Sequence, residues 1–288
     1  MSGAPALLRN VMPEFVATLA TKSTAAQIFR EGLQLTFDGA GMISVPTLVG
    51  DPSYASFVKE GDPAPVVQGF VEPLIVMTPF KLGAIIVITE EMLRSSNAEA
   101  ILLDGIMRSS GMALDQALFD SNPGDASRPA GLRYGVAAST ASTEPVAYDA
   151  MIEDISTLHA AVTAMAMAPV IFIMSQTRAL NAQLRTFRAL GRSALLIGSY
   201  TLHASNDVVA VAPDVVVSAF GDKPEIEAST SATLHMDTAP SPIANGGGIA
   251  APASSMFQTD STALKVRVPV SWALRAPAGM AWLTASGW

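Results

Sequence analysis

Cysteine is absent from the chain. Disulfides, cysteine metal sites and cysteine nucleophiles are therefore excluded, and the redox compartment stays open. Charge is scarce as well. Charged residues make up 15% of the 288 and hydrophobic ones 50%, where a soluble domain usually carries about a quarter charged. Long apolar runs are missing too. The longest uncharged one, AAVTAMAMAPVIFIMS, is interrupted by Pro169, and a membrane span needs about 20 residues. The start, MSGAPALLRNVMPEF, lacks a basic region followed by an apolar run, so it does not read as a signal peptide. A monomer would cover itself poorly with so little charge. Burial against other subunits accounts for the composition better than a membrane does. The net charge of −8 argues against sequence-independent coating of a phosphate backbone.

Catalytic patterns are equally sparse. His159, His203 and His235 are the only histidines, and none stands in an HExxH or His-x-His spacing. GRSALLIG at 191–198 lacks the second glycine of a nucleophile elbow. GAGM and NGGG have no following Lys-Ser/Thr and are not phosphate loops. Glu90 and Glu91 are adjacent rather than facing, so they make a poor acid/base pair. No catalytic, cofactor-binding or metal-binding residue is expected.

What is present is an order of elements. Fragments such as STAAQIFREG are helix-like but build no core of their own, so the first forty residues read as an arm. From Ile43 to Thr89 the chain reads as extended: ISVPTLV and LIVMTPFKLGAIIVIT flank the charged, proline-bearing stretch FVKEGDPAPV. Pro46, Pro73 and Pro79 cannot donate to a ladder, so these ribbons belong at sheet edges or in a protruding hairpin. A long helix follows, capped by Ser96 with Glu99 three residues on. Leu103, Met107, Leu114 and Leu118 recur at helical spacing along it. SNPGD at 121–125 stops it after about 24 residues, on the order of 36 Å. Gly105 and Gly111 leave room for close packing on it. Helices are also expected over Tyr148–Met167 and from Ser175 to near Gly191, with the buried strand APVIFIMS between them. The remainder is β-rich, with a flexible stretch DTAPSPIANGGGIAAPASS. The fold class is α+β, without regular βαβα alternation.

The order carries a resemblance. GDPSYASFVKEGDPAPV at 50–66, MTPFKLGAIIVITEEMLRSSN at 77–97 and the long helix follow one another. PAGL at 129–132, PVIFIMSQTRALNAQLRT and the closing FQTDSTALKVRVPVSWALRAPAGMAWL come after them. This succession resembles the tailed-bacteriophage major capsid protein family, of the Hong-Kong-97-type fold, from about Leu33 to Leu283. The resemblance implies an N-terminal arm (1–45) and an E-loop hairpin (46–84) laid over a neighbouring subunit. It implies a peripheral domain (85–134 and 223–275) with a spine helix (97–121), and an axial domain (135–222 and 276–288). The implied function is structural. Copies of the chain join as hexamers and pentamers into an icosahedral shell around double-stranded DNA, in the virion, after assembly in the bacterial host cytoplasm. A separate scaffolding protein, a portal and a decoration protein are implied partners; no cofactor and no membrane are.

The resemblance makes Phe57, Lys59, Glu60, Lys81, Arg94 and Trp272 the candidate intersubunit contacts. Two departures qualify it. Many members begin with a cleaved scaffolding segment of about a hundred residues, whereas this chain has only a short arm, so the scaffold is separate or lies outside this sequence. Some members also form Lys–Asn isopeptide bonds promoted by a Glu. Here Asp260 stands at the Asn position and Arg267 at the Glu position, although Lys59 and Lys81 supply amines. Non-covalent contacts are therefore expected to hold the shell. Two other readings compete: an encapsulin-type compartment around a cargo enzyme, and an oligomeric α+β metabolic enzyme. Shell contents discriminate the first, and turnover by a small oligomer the second.

Overall fold

The computed structural model describes residues 19, 22–37, 41–47, 57–60, 74–93, 98–166, 168–186, 194–199, 202, 205–221, 225–237, 253–285 and 287–288. The five helices among them are α1 (Thr24–Glu31), α2 (Glu90–Leu93), α3 (Ala98–Leu118), α4 (Ala147–Thr163) and α5 (Gln176–Thr186). The strands are β1 (Leu33–Phe37), β2 (Ile43–Pro46), β3 (Leu74–Met77), β4 (Phe80–Thr89), β5 (Val170–Ser175), β6 (Ala194–Ser199) and β7 (Asp207–Val211). They continue with β8 (Val216–Gly221), β9 (Glu225–Ser229), β10 (Thr233–His235), β11 (Ala253–Ser255), β12 (Ser261–Leu274) and β13 (Met280–Thr284).

Two sheets carry the body. The first runs β1-β8-β12-β4, with β9 also paired to β12. Its axis is β12, whose 14 residues pair antiparallel with β4 on one side and with β9 and then β8 on the other. The second runs β13-β7-β5-β6. β5 and β6 are parallel, joined through α5, while β7 and β13 are antiparallel to their neighbours.

Strand periodicity explains how β5 can be apolar throughout. Successive side chains point to opposite faces, and here both faces are covered. Ile171 and Ile173 join a core shared with α1, α3 and β12. Val170, Phe172 and Met174 join a second core against Met151, Ile155 and Leu158 of α4. All six residues of β5 are buried.

The spine is α3, 21 residues long. The Ser96–Glu99 capping box lies outside the described residues at Ser96. Met107, Leu114 and Leu118 of its expected stripe are buried. The two glycines differ. A Cβ on Gly111 would come within 3.3 Å of the Ser23 Cβ, while one on Gly105 would meet only an Ile86 methyl at 3.9 Å. Close packing is thus realised at Gly111, where α1 crosses.

The part of the expected arm that the structure describes from Thr24 to Phe37 lies in the body. Ala25, Ile28 and Phe29 of α1 are buried in the core shared by both sheets. β1 pairs parallel with β8. These segments build no core alone because they complete a common one. The extended ribbon 74–89 also divides. Thr78 and Pro79 interrupt it, so β3 pairs with β2 and β4 with β12. Proline lacks the N–H that would continue the ladder. β8 sits in the five-stranded sheet, held by β12 on one edge and β1 on the other.

Candidate assembly surface

The hairpin base is thinly covered. β2 and β3 form a two-stranded sheet from Ile43↔Met77 to Pro46↔Leu74. Val45 and Met77 point into a small cluster with Phe37 and Val217. The alternate positions face out, leaving Leu74 50% and Val76 55% exposed. Arg275 ties the base to the body by donating from Nε to the Pro46 carbonyl at 3.1 Å. Residues 47–73 run between the two strands, and of these 57–60 are described beyond Thr47. There Phe57 is fully exposed, with Val58, Lys59 and Glu60 exposed beside it.

Further apolar groups lie on other faces. Leu180 and Leu184, one turn apart on α5, are 56% and 71% exposed. Met92 and Leu93 on α2 and Ile85 on β4 are exposed as well. β4 is the last strand of its sheet, so one of its edges is unpaired among the described residues. Lys81, exposed on that strand opposite Pro269, puts a charge on an edge otherwise open to any strand.

The segment after the spine is rigid for identifiable reasons. Arg128 grips Asp120 through both terminal nitrogens, Nη1 at 2.6 Å and Nη2 at 2.8 Å. Leu132 N–H donates to the Leu118 carbonyl at 2.8 Å, closing the spine's last turn. Gly131 is obligatory, since a Cβ there would collide with the Asp120 carboxylate and carbonyl. Arg133 reaches in three directions. Its Nε donates to the Phe119 carbonyl at 2.7 Å, its Nη1 to Asp207 of β7 at 2.6 Å, and its guanidinium lies 4.8 Å over the Trp282 ring of β13. The spine's end is thereby joined to the second sheet.

The candidate contacts fall into three groups. Phe57, Lys59, Glu60 and Lys81 are on the surface. Arg94 lies outside the described residues. Trp272 is not a surface group. It is 5% exposed, stacks on Phe29 at 5.9 Å, and donates its indole N–H to the Ala130 carbonyl at 2.9 Å. Its burial is satisfied within its own subunit, and it also walls a cavity of about 240 Å³ between β3, β12 and the loop at 124–130. On the closing strand, Arg267 pairs with Glu225 at 2.8 Å and Glu227 at 2.7 Å on β9. Asp260, at φ 46°, forms the turn into β12. Its carbonyl accepts from Glu90 N–H at 3.0 Å, and the Glu90 carboxylate accepts from the Thr262 hydroxyl at 3.0 Å.

Sequence reasoning missed the clamp that fixes α1 to the spine. Asp115 is 4% exposed. It accepts the Ser23 hydroxyl at 2.6 Å, Ala25 N–H at 2.8 Å and Thr24 N–H at 3.1 Å. Ser23 in turn caps α1 by accepting from Ala26 N–H at 3.1 Å. Lys22 adds an ion pair to Asp104 at 3.0 Å, and that pairing holds the Asp104 carboxyl below its usual range. Burial pushes the Asp115 carboxyl up, against the pull of its three donors. The available signal was a lone Asp in the apolar stripe GMALDQAL.

No helix of the described residues is long and apolar enough to cross a membrane. Among the same residues, no group of three or more histidine, cysteine or acidic side chains is placed to hold a metal ion.

This architecture is that of capsid subunits. The fold matches a Mycobacterium phage Adephagia chain at 15% identity and TM-score 0.58, covering 92% of this chain and 90% of that one. It matches the satellite phage P4 procapsid with size determination protein at 8% identity and TM-score 0.57, over 95% and 90%. A virus-like particle from Pyrococcus furiosus matches at 10% identity and TM-score 0.57, over 95% and 97%. No curated protein matches by sequence. Residues 11–221 match the model of the phage capsid family. The chain belongs to that family, as a shell-forming capsid protein.

Proposed function

We propose that the chain is the major structural subunit of an icosahedral shell that encloses phage double-stranded DNA. Copies meet as hexamers and pentamers, and the contacts are non-covalent. The observation that carries this reading is the apolar surface left uncovered on an otherwise well-packed subunit, foremost Phe57, Leu74 and Val76 on one hairpin. Burial of such surface contributes about 25 cal/mol per Å². The arm at 1–45, with its described part anchored in the body, and the hairpin at 46–84 extend the subunit toward its neighbours. The segments 85–134 and 223–275 around the spine form the peripheral domain, and 135–222 with 276–288 the axial domain. The subunit works with a separate scaffolding protein, a portal and a decoration protein, and assembles in the host cytoplasm.

The departures at the turn into β12 and on β12 itself support non-covalent closure. Asp260 has no amide to lose as ammonia. Arg267 stays charged, so it cannot deprotonate a lysine. Electron microscopy of the purified protein tests the reading: closed shells with icosahedral symmetry are expected, and a small oligomer with turnover overturns it. Boiling the shells in SDS should release one species near 29.9 kDa, where a denaturant-resistant ladder means covalent bonding. The likeness to a virus-like particle supports a second reading, a compartment around protein cargo. Nuclease-protected DNA in purified shells favours the first, and a co-purifying enzyme without DNA the second.

A further inference from the structure

The cavity beside the hairpin base has no assigned role. Its volume is about 240 Å³, and a space on the order of 150 Å³ already admits a benzene ring. Met77, Phe80, Pro129 and Trp272 give it apolar walls, and Asp125 stands among its lining residues. Asp125 is a fixed anion. Its Oδ1 takes the Ser127 hydroxyl at 2.6 Å, Ser127 N–H at 2.6 Å and Arg128 N–H at 3.0 Å, and Oδ2 keeps a free lone pair among the described residues. The Ser127 contacts hold its carboxyl below the usual range.

The same chain carries a complementary group. Phe57 is the most exposed large hydrophobic side chain among the described residues, at 108%. Residues 57–59 are non-helical, and in an extended chain side chains two apart share a face. Bound in an extended form, the tip would present the Phe57 ring and the Lys59 cation on one face and Val58 on the other. Phe57 lies eleven residues beyond Pro46, a reach of at most about 40 Å.

We infer that the hairpin tip of one copy docks into this cavity on a second copy, with the Phe57 ring between Met77 and Trp272 and Lys59 paired to Asp125. The inference rests on the shell reading above and names its contact. The tip and the cavity are different surfaces of one chain, so the contact is head-to-tail. Such contacts repeat from copy to copy and close into rings where the rotation allows. Because the cavity lies at the foot of the hairpin, each copy that receives a tip is gripped where its own hairpin begins.

The absence of cysteine makes the test clean. With no native thiol, a Lys59→Cys, Asp125→Cys double variant can cross-link only through these two positions, and the two single-cysteine variants, which can pair only like with like, should give no ladder beyond a dimer. Shells assembled from the double variant and mildly oxidised should run on a non-reducing SDS gel as a ladder of multimers that reductant collapses. Shells that yield only monomer, or a monomer linked within itself, overturn the docking while leaving the shell reading intact. Failure of the wild-type chain to form shells overturns both. Independently, Phe57→Ala should raise the protein concentration needed for half-assembly on the order of tenfold, equivalent to about 1.4 kcal/mol, with Val58→Ala changing it less than twofold. Phe57 is fully exposed among the described residues, so its truncation should leave subunit folding unchanged. Equal effects of the two substitutions overturn the docking.

Discussion

Strands β3 and β5 read alike and end differently. LIVM and VIFIMS are both unbroken apolar runs, yet every residue of β5 is buried while β3 follows the pattern exposed, intermediate, exposed, buried. β5 lies between α4 on one face and the α1–α3 layer on the other. β3 has β2 as its ladder partner and one small cluster beneath it. Apolar sequence therefore marks that a strand is to be covered. It does not say whether its own chain or another copy does the covering.

The comparison can be broken most severely at β5. Phe172→Ala removes a fully buried ring and should cost the unassembled subunit about 3–5 kcal/mol, read by chemical denaturation. Should it cost less than 1 kcal/mol, the second core is not close-packed.

Asp115→Ala comes next, at about 2–3 kcal/mol, because it strands the buried Ser23, Thr24 and Ala25 donors. Its pH dependence has a defined sign. Burial raises the Asp115 carboxyl, so the folded chain holds that proton more tightly than the unfolded chain. Its contribution is complete below the ordinary carboxylate range and is lost as pH rises through the raised value. Denaturation of the wild type across this window should show stability falling relative to Asp115→Asn; parallel curves refute the assignment.

Val76→Ala sharpens the contrast from the other side. Subunit stability should change by less than about 0.5 kcal/mol, while shells need more protein to assemble. Amides of β3 should exchange faster than those of β5 in free subunits and become protected in shells. Glu60→Lys should have the smallest effect, shifting the salt dependence of assembly by at most about 1 kcal/mol per contact.

Much of this was legible in the sequence. The spine, expected over 97–121, runs from Ala98 to Leu118 in the described residues, because 3.6-residue periodicity is a local property. The order of elements pointed to the capsid family. What was not legible depends on distant partners. Trp272 sits in a strand with both faces committed, and its neighbours Phe29 and Ala130 are far away in the chain. The cavity draws its walls from residues between Val76 and Ala273, so no local pattern encodes it. The break at Thr78–Pro79 was visible as a proline, but only pairing shows that β4 leaves the hairpin for β12.

The clamp at Asp115 also determines where tension would go. Traversed from the N-terminus, the chain meets Lys22, Ser23, Thr24 and Ala25, all held by the spine, before it enters β1. A neighbour pulling on the residues ahead of Leu19 therefore loads α3 at two points along its length, Asp104 and Asp115. The β1–β8 ladder lies downstream and is shielded from peeling. The clamp works as a mooring: strain that reaches the arm is spread along a stiff rod instead of opening the sheet at its edge.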